Sequence, residues 1–117
     1  MLEYDSEPPL ELFIGEPNRI RQEIIAPPED PIPGPILDLT NVVYTIRSKR
    51  SYTGPFVGVE NNPLPHVAGD MDGWYEDIWP ESQANELKLN KQYWLHVHAP
   101  GHTQRLIPCI AKYRENV

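Results

Sequence analysis

"QYWLHVHA", residues 92–99, decides the fold. Its side chains alternate with a period of two, placing Tyr93, Leu95, Val97 and Ala99 on one face of an extended chain. Trp94, His96 and His98 fall on the other face. The apolar set belongs inside, so the segment reads as a half-buried strand. Pro100, Gly101 and His102 then form a turn, and "TQRLIPCIAKYR", residues 103–114, reads as the closing strand. Pro108 inside that strand cannot donate to a ladder, which predicts an edge position or a bulge.

The same pattern extends backwards. In residues 37–51, Val42, Tyr44 and Ile46 share one face, with Val43, Thr45 and Arg47 opposite. Arg47, Lys49 and Arg50 read as a short, solvated basic strand end. Residues 55–59 form a short strand. "WYEDIWP" places Trp74, Glu76 and Ile78 against Tyr75, Asp77 and Trp79, and Pro80 ends it. Residues 81–91 hold one helical turn. Further upstream, residues 10–14 and 19–25 are candidate strands separated by a Gly-Glu-Pro-Asn turn signal. Many short strands with Gly, Pro and Asn between them predict an all-β fold, a small antiparallel β-sandwich.

Composition bounds the rest. A chain of 117 residues suits one domain. Fourteen prolines and a mean hydropathy of -0.53 argue against a compact helical domain. No apolar run is long enough to span a bilayer, and no signal-peptide pattern opens the chain, so no membrane association is expected. The single cysteine, Cys109, excludes an internal disulfide and reads as a buried thiol. The net charge of -7 is concentrated in the first third, where nine of the seventeen acidic residues meet only Arg19 and Arg21. Such a surface repels phosphates and disfavours nucleic acid as a partner. "APPEDPIPGPI", residues 26–36, excludes helix and favours stiff polyproline II. The chain thus divides into an acidic, Pro-rich N-terminal arm with first strands, 1–36, and a β body, 37–117. Extended, some thirty residues can reach up to about 100 Å.

The order of these segments resembles a group of small immunoglobulin-like β-sandwich proteins among the virion structural proteins of tailed bacteriophages. The resemblance is carried by "LFIGE" (12–16), "LDLTNVVYTIRSKRS" (37–51), "GWY" (73–75), "YWLHVHAPG" (93–101) and the basic closing strand (105–114). The link before "LDLT" is longer here than in that group. It implies an immunoglobulin-like sandwich, location in the virion, no enzymatic activity and no cofactor. It also implies capsid or tail subunits and copies of the chain itself as partners, with the protein acting as capsid decoration (cement) or as a tail, neck or baseplate adaptor. Candidate interface residues are Leu10, Leu12, Phe13, Ile14 and Ile32 in the arm, with Trp94, His96 and His98 on the outward strand face.

Two other chemistries compete. His96, His98 and His102 could form a metal corner, but catalytic zinc needs three converging ligands, and no HExxH, cysteine pair or carboxylate at ligand spacing supports one. "GDMDGWYED" offers Asp70, Asp72, Glu76 and Asp77. Its glycine falls too early for an EF-hand loop, and a solvated turn is the expectation. Trp74, Trp79 or Trp94 could serve as a sugar platform, making a carbohydrate-binding module the main functional rival. Three tryptophans in a domain this small predict one in the core and at least one at an interface.

Overall fold

The computed structural model describes residues 9–26 and 28–114. It is built mostly of strands: β1 (Leu10–Phe13), β2 (Asn18–Glu23), β3 (Ile25–Ala26), β4 (Gly34–Pro35), β5 (Val43–Arg47), β6 (Phe56–Pro63), β7 (Trp74–Trp79), β8 (Gln92–Ala99) and β9 (Thr103–Lys112). One short helix, α1 (Glu81–Ala84), follows Pro80. Five strands form one mixed sheet in the order β1-β9-β8-β5-β6, and β2 pairs with β7 in a second, antiparallel sheet. The β2–β7 sheet is extended by an isolated bridge between His66 and Tyr75.

The period-two pattern places the core. Tyr93, Leu95, Val97 and Ala99 of β8 are buried with Tyr44 and Ile46 of β5 and Cys109 and Ala111 of β9. From the second sheet come Ile20, Tyr75 and Trp79, joined by Ile24, which follows β2. The two sheets therefore share one hydrophobic core, and each buried aliphatic or aromatic side chain contributes about 1.5–3 kcal/mol. Trp79 is 0% exposed, while Trp74 on the opposite parity is half-buried on the outer face. The Cys109 thiol is fully buried, and loss of solvation pushes its pKa up to about 12. Native protein should therefore leave a thiol reagent unconsumed at neutral pH, with stoichiometric labelling only after denaturation. Rapid labelling of the native state would contradict this placement.

Two features depart from the sequence expectations, and a third, the place of Pro108, meets its expectation only locally. The sheets are not purely antiparallel, because β1 runs parallel to β9 with Leu10 opposite Cys109 and Phe13 opposite Lys112. A strand at the chain start and one at its end are not joined by a hairpin, so nothing forces them antiparallel. Pro108 belongs to a strand with neighbours on both sides, but it lies one residue before the β1 pairing begins. At Pro108 only β8 pairs with β9, so no second ladder needs its missing donor. The Pro-rich segment folds back, with Ile25 opposite Pro35 and Ala26 opposite Gly34. It is tied down by Tyr75, whose hydroxyl donates to the Ile36 carbonyl at 2.8 Å and accepts from the Leu39 amide at 3.2 Å.

Residues 10–24 supply strands to both sheets and three core side chains, Leu12, Ile20 and Ile24. Asn18 closes the turn between β1 and β2, accepting from the Phe13 amide at 2.7 Å and donating to the Phe13 and Glu16 carbonyls. Residues 1–8 of the expected arm lie outside the described residues.

Candidate functional site

The outer face of the five-stranded sheet is set out by its register. Phe56 of β6 stands beside Arg47 of β5, Arg47 beside Trp94 of β8, and Trp94 beside Pro108 of β9. This row of aromatic and apolar side chains crosses four strands around one guanidinium. Phe56 is 45% exposed, Pro108 is exposed and Trp94 is half-buried. The Arg47 guanidinium lies 6.0 Å from the Phe56 ring centroid.

Arg47 is not the solvated strand end its neighbours suggested. It is 3% exposed, and each part of its guanidinium has a partner. Nε donates to His96 Nδ1 at 3.2 Å, Nη1 donates to the Gly54 carbonyl at 2.8 Å, and Nη2 pairs with Glu60 at 2.9 Å. The reason is the loop of residues 48–55, which folds back over the sheet. Its Tyr52 ring stacks on His96 at 5.0 Å, and the Tyr52 hydroxyl donates to the Gln104 carbonyl at 3.1 Å. Lys49 and Arg50 on that loop are the cluster members that reach solvent.

The three C-terminal histidines do not converge. His96 points away from the core, as its parity requires, yet is 5% exposed beneath Tyr52. Its second nitrogen, Nε2, meets Gln104 Oε1 at 2.8 Å. Burial, ahead of any charge, lowers its pKa below the ordinary imidazole range, and Arg47 and His98 act in the same direction. His98 stacks on it at 6.2 Å, while His102 lines a separate shallow cavity of about 140 Å³ with Ile24, Ala26, Asp30 and Ile36. Among the described residues, no group of three or more His, Cys, Asp or Glu is arranged to hold a metal ion.

The carboxylates of residues 69–77 also take separate directions. Asp70 accepts from the amides of Trp74 at 2.8 Å and Asp72 at 3.0 Å, and the Trp74 amide chiefly holds its pKa below the usual value. Glu76 faces outward to Arg19 at 2.8 Å and Arg21 at 3.0 Å; the Arg19 hydrogen bond is the main cause of its lowered pKa. Asp77 faces inward and accepts from the Tyr44 hydroxyl at 2.6 Å, a bond that joins the two sheets. Burial first, then Asp77, pushes the Tyr44 phenol well above its normal range. Replacing Tyr44 with phenylalanine should therefore cost about 1.5 kcal/mol, measurable as a lower urea midpoint at unchanged slope. An unchanged midpoint would mean that the bond contributes nothing net.

Of the remaining interface candidates, Leu12 is a core residue, and its burial with His96 removes both from the accessible surface. Ile14 packs against the core, and Phe13 lies under the Arg114 guanidinium at 4.1 Å. Leu10 is exposed, and Ile32 at the tip of the Pro-rich hairpin is 86% exposed. Trp79 is sealed in the core, and one face of Trp74 carries Arg21 at 4.6 Å, so Trp79 offers no surface platform and Trp74 only a shared one. Sequence reading missed Arg47, Tyr52, Phe56 and Pro108 as members of this face. The available signal was parity, which already put Arg47 with Thr45 and opposite Ile46.

No family model, curated protein or solved structure matches the chain.

Proposed function

We propose that this chain is an immunoglobulin-like sandwich with a Pro-rich N-terminal arm. Its function is non-enzymatic: a virion structural protein of a tailed phage that binds capsid or tail subunits and copies of itself. Strand order supports the fold assignment. Read in chain order, β9-β8-β5-β6 follows the G-F-C-C′ order of variable-type domains, and β2–β7 follows the B–E pair. Tyr93, near the start of β8, accepts a hydrogen bond from the Lys88 amide at 2.9 Å, the arrangement of a tyrosine corner before strand F. Two residues on, Leu95 stands where antibody domains place a cysteine, in keeping with a chain that has one cysteine only.

The observation that carries the functional reading is the Phe56–Arg47–Trp94–Pro108 row. Tryptophan is among the residues that dominate binding energy at protein interfaces, and the accessible members of the row, Phe56, Trp94 and Pro108, are set around a buried Arg47 that holds their strands in place. Exposed Leu10 and Ile32 give the arm its own apolar contacts. The sandwich, into which residues 10–24 are folded, is then the rigid block, and the folded-back Pro-rich segment presents Ile32 to a neighbour.

Incorporation into purified particles tests this. Trp94→Ser and Pro108→Asp, on the outer face, should each reduce copies per particle at least about tenfold while the circular dichroism spectrum stays native. Wild-type incorporation of both variants would reject the row as the gripping surface.

A further inference from the structure

The geometry points to an acid-released latch: the loop of residues 48–55 stays on the sheet while the His96 imidazole is neutral, and protonation of that ring frees it. This inference does not depend on the assembly reading. It rests on donor and acceptor roles. The Arg47 guanidinium only donates, so His96 Nδ1 must accept, which leaves the ring proton on Nε2 facing Gln104 Oε1. The neutral ring satisfies both contacts. An imidazolium carries two N–H groups and no acceptor, so whichever way the ring turns, one N–H meets a donor or abandons its partner. Arginine cannot yield the proton instead.

Arg47 is also what holds the loop. Its Nη1 donates to the Gly54 carbonyl, while Tyr52 covers His96 and reaches Gln104. Displacing Arg47 from His96 therefore disturbs the loop at two places, its carbonyl tie and its aromatic cover. The loop's remaining backbone tie to the strand pair is the Ser48 amide on the Pro55 carbonyl at 2.9 Å, with local bonds around Ser51.

Four strands, its own included, and the loop itself surround the ring, and their charges oppose one another. β5 presents Arg47, and β8 presents His98 at 6.2 Å; both oppose a second positive charge. Lys49 and Arg50 on the loop are exposed to solvent. β6 presents Glu60, which favours the imidazolium, but this carboxylate is already paired with Arg47 and is partly solvated. The Tyr52 face also favours a cation, and so, more strongly than Glu60, does the hydrogen bond to Gln104 of β9. Burial and the contact with Arg47 outweigh these. The ring thus binds a proton more readily with the loop open than closed. The closed state is fully favoured above the ordinary imidazole value of 6.5 and loses ground as pH falls through it.

Imidazole NMR and amide hydrogen exchange on the full chain test the latch. At about pH 7.5, His96 should show the Nε2–H neutral tautomer, and Ser48 and Gly54 should be protected. On moving to about pH 5, their protection factors, corrected for intrinsic exchange, should fall by up to about thirtyfold, the limit set by an open-loop imidazole titrating at its ordinary value. Tyr44 and Val97 should keep theirs. His96→Gln can accept from Arg47 and donate to Gln104 without titrating, so the fall should vanish. Gln104→Glu offers a carboxylate to the closed imidazolium, so it should shrink the fall even if the first variant folds poorly. An unchanged loop at acid pH, an Nδ1–H tautomer, or an undiminished fall in both variants would overturn the proposal.

Discussion

Trp79→Ala should be the most damaging substitution in the chain, costing about 3–5 kcal/mol, a large part of the stability of a domain this size. The side chain is fully buried between the sheets, and its indole N–H donates to Gln83 Oε1 at 2.7 Å. That oxygen also accepts from the Val59 amide at 2.9 Å, and Gln83 Nε2 donates to Asn62 at 3.0 Å. Removal therefore opens a cavity and unseats the residue whose side chain ties α1 to β6. Urea unfolding followed by far-ultraviolet circular dichroism measures the loss. Trp74→Ala on the outer face is the control and should cost no more than about 1 kcal/mol. Equal costs at the two positions would contradict the assigned parity of β7.

Gly73→Ala is the second large effect, expected at about 2–4 kcal/mol, the sum of a conformational and a steric penalty. Gly73 has φ +81°, where a side chain costs roughly 1–2 kcal/mol. A Cβ would also meet the Ile24 carbonyl oxygen at 2.6 Å, and that backbone cannot swing aside, because the Ile24 amide donates to the Gly73 carbonyl at 2.8 Å. Gly69 separates the two contributions. Its φ is +79°, but an added methyl group would find nothing within 4 Å, so Gly69→Ala carries the conformational cost alone. Thermal unfolding of the pair should differ by at least about 1 kcal/mol. Indistinguishable melting curves would mean that the approach of residues 24 and 73 is looser than described.

The strands were legible where one face is apolar and the other is not. Alternation in residues 92–99 identified the four inward side chains of β8, and the same rule separated Trp74 from Trp79. Turn chemistry at Gly15, Pro17 and Asn18 marked the break between β1 and β2. Contacts between distant residues left no such pattern. Nothing in the spacing of Tyr52 and His96 says that one covers the other, so His96 read as an open strand face and Arg47 as a wet edge. The parallel pairing of β1 with β9 joins the two ends of the chain and has no local signature. Leu12 read as a gripping residue because its strand looked detached, whereas pairing with β9 turns it into the core. The outer row was hidden for the same reason: its four members come from four strands, and only the register aligns them.

The most direct measurement is the number of copies of this chain in purified phage particles, by quantitative mass spectrometry against a known structural subunit. A binding role in the virion predicts a fixed stoichiometry that survives repeated purification and falls with Trp94→Ser. A chain absent from particles, or present in variable traces that the substitution does not change, would contradict the account.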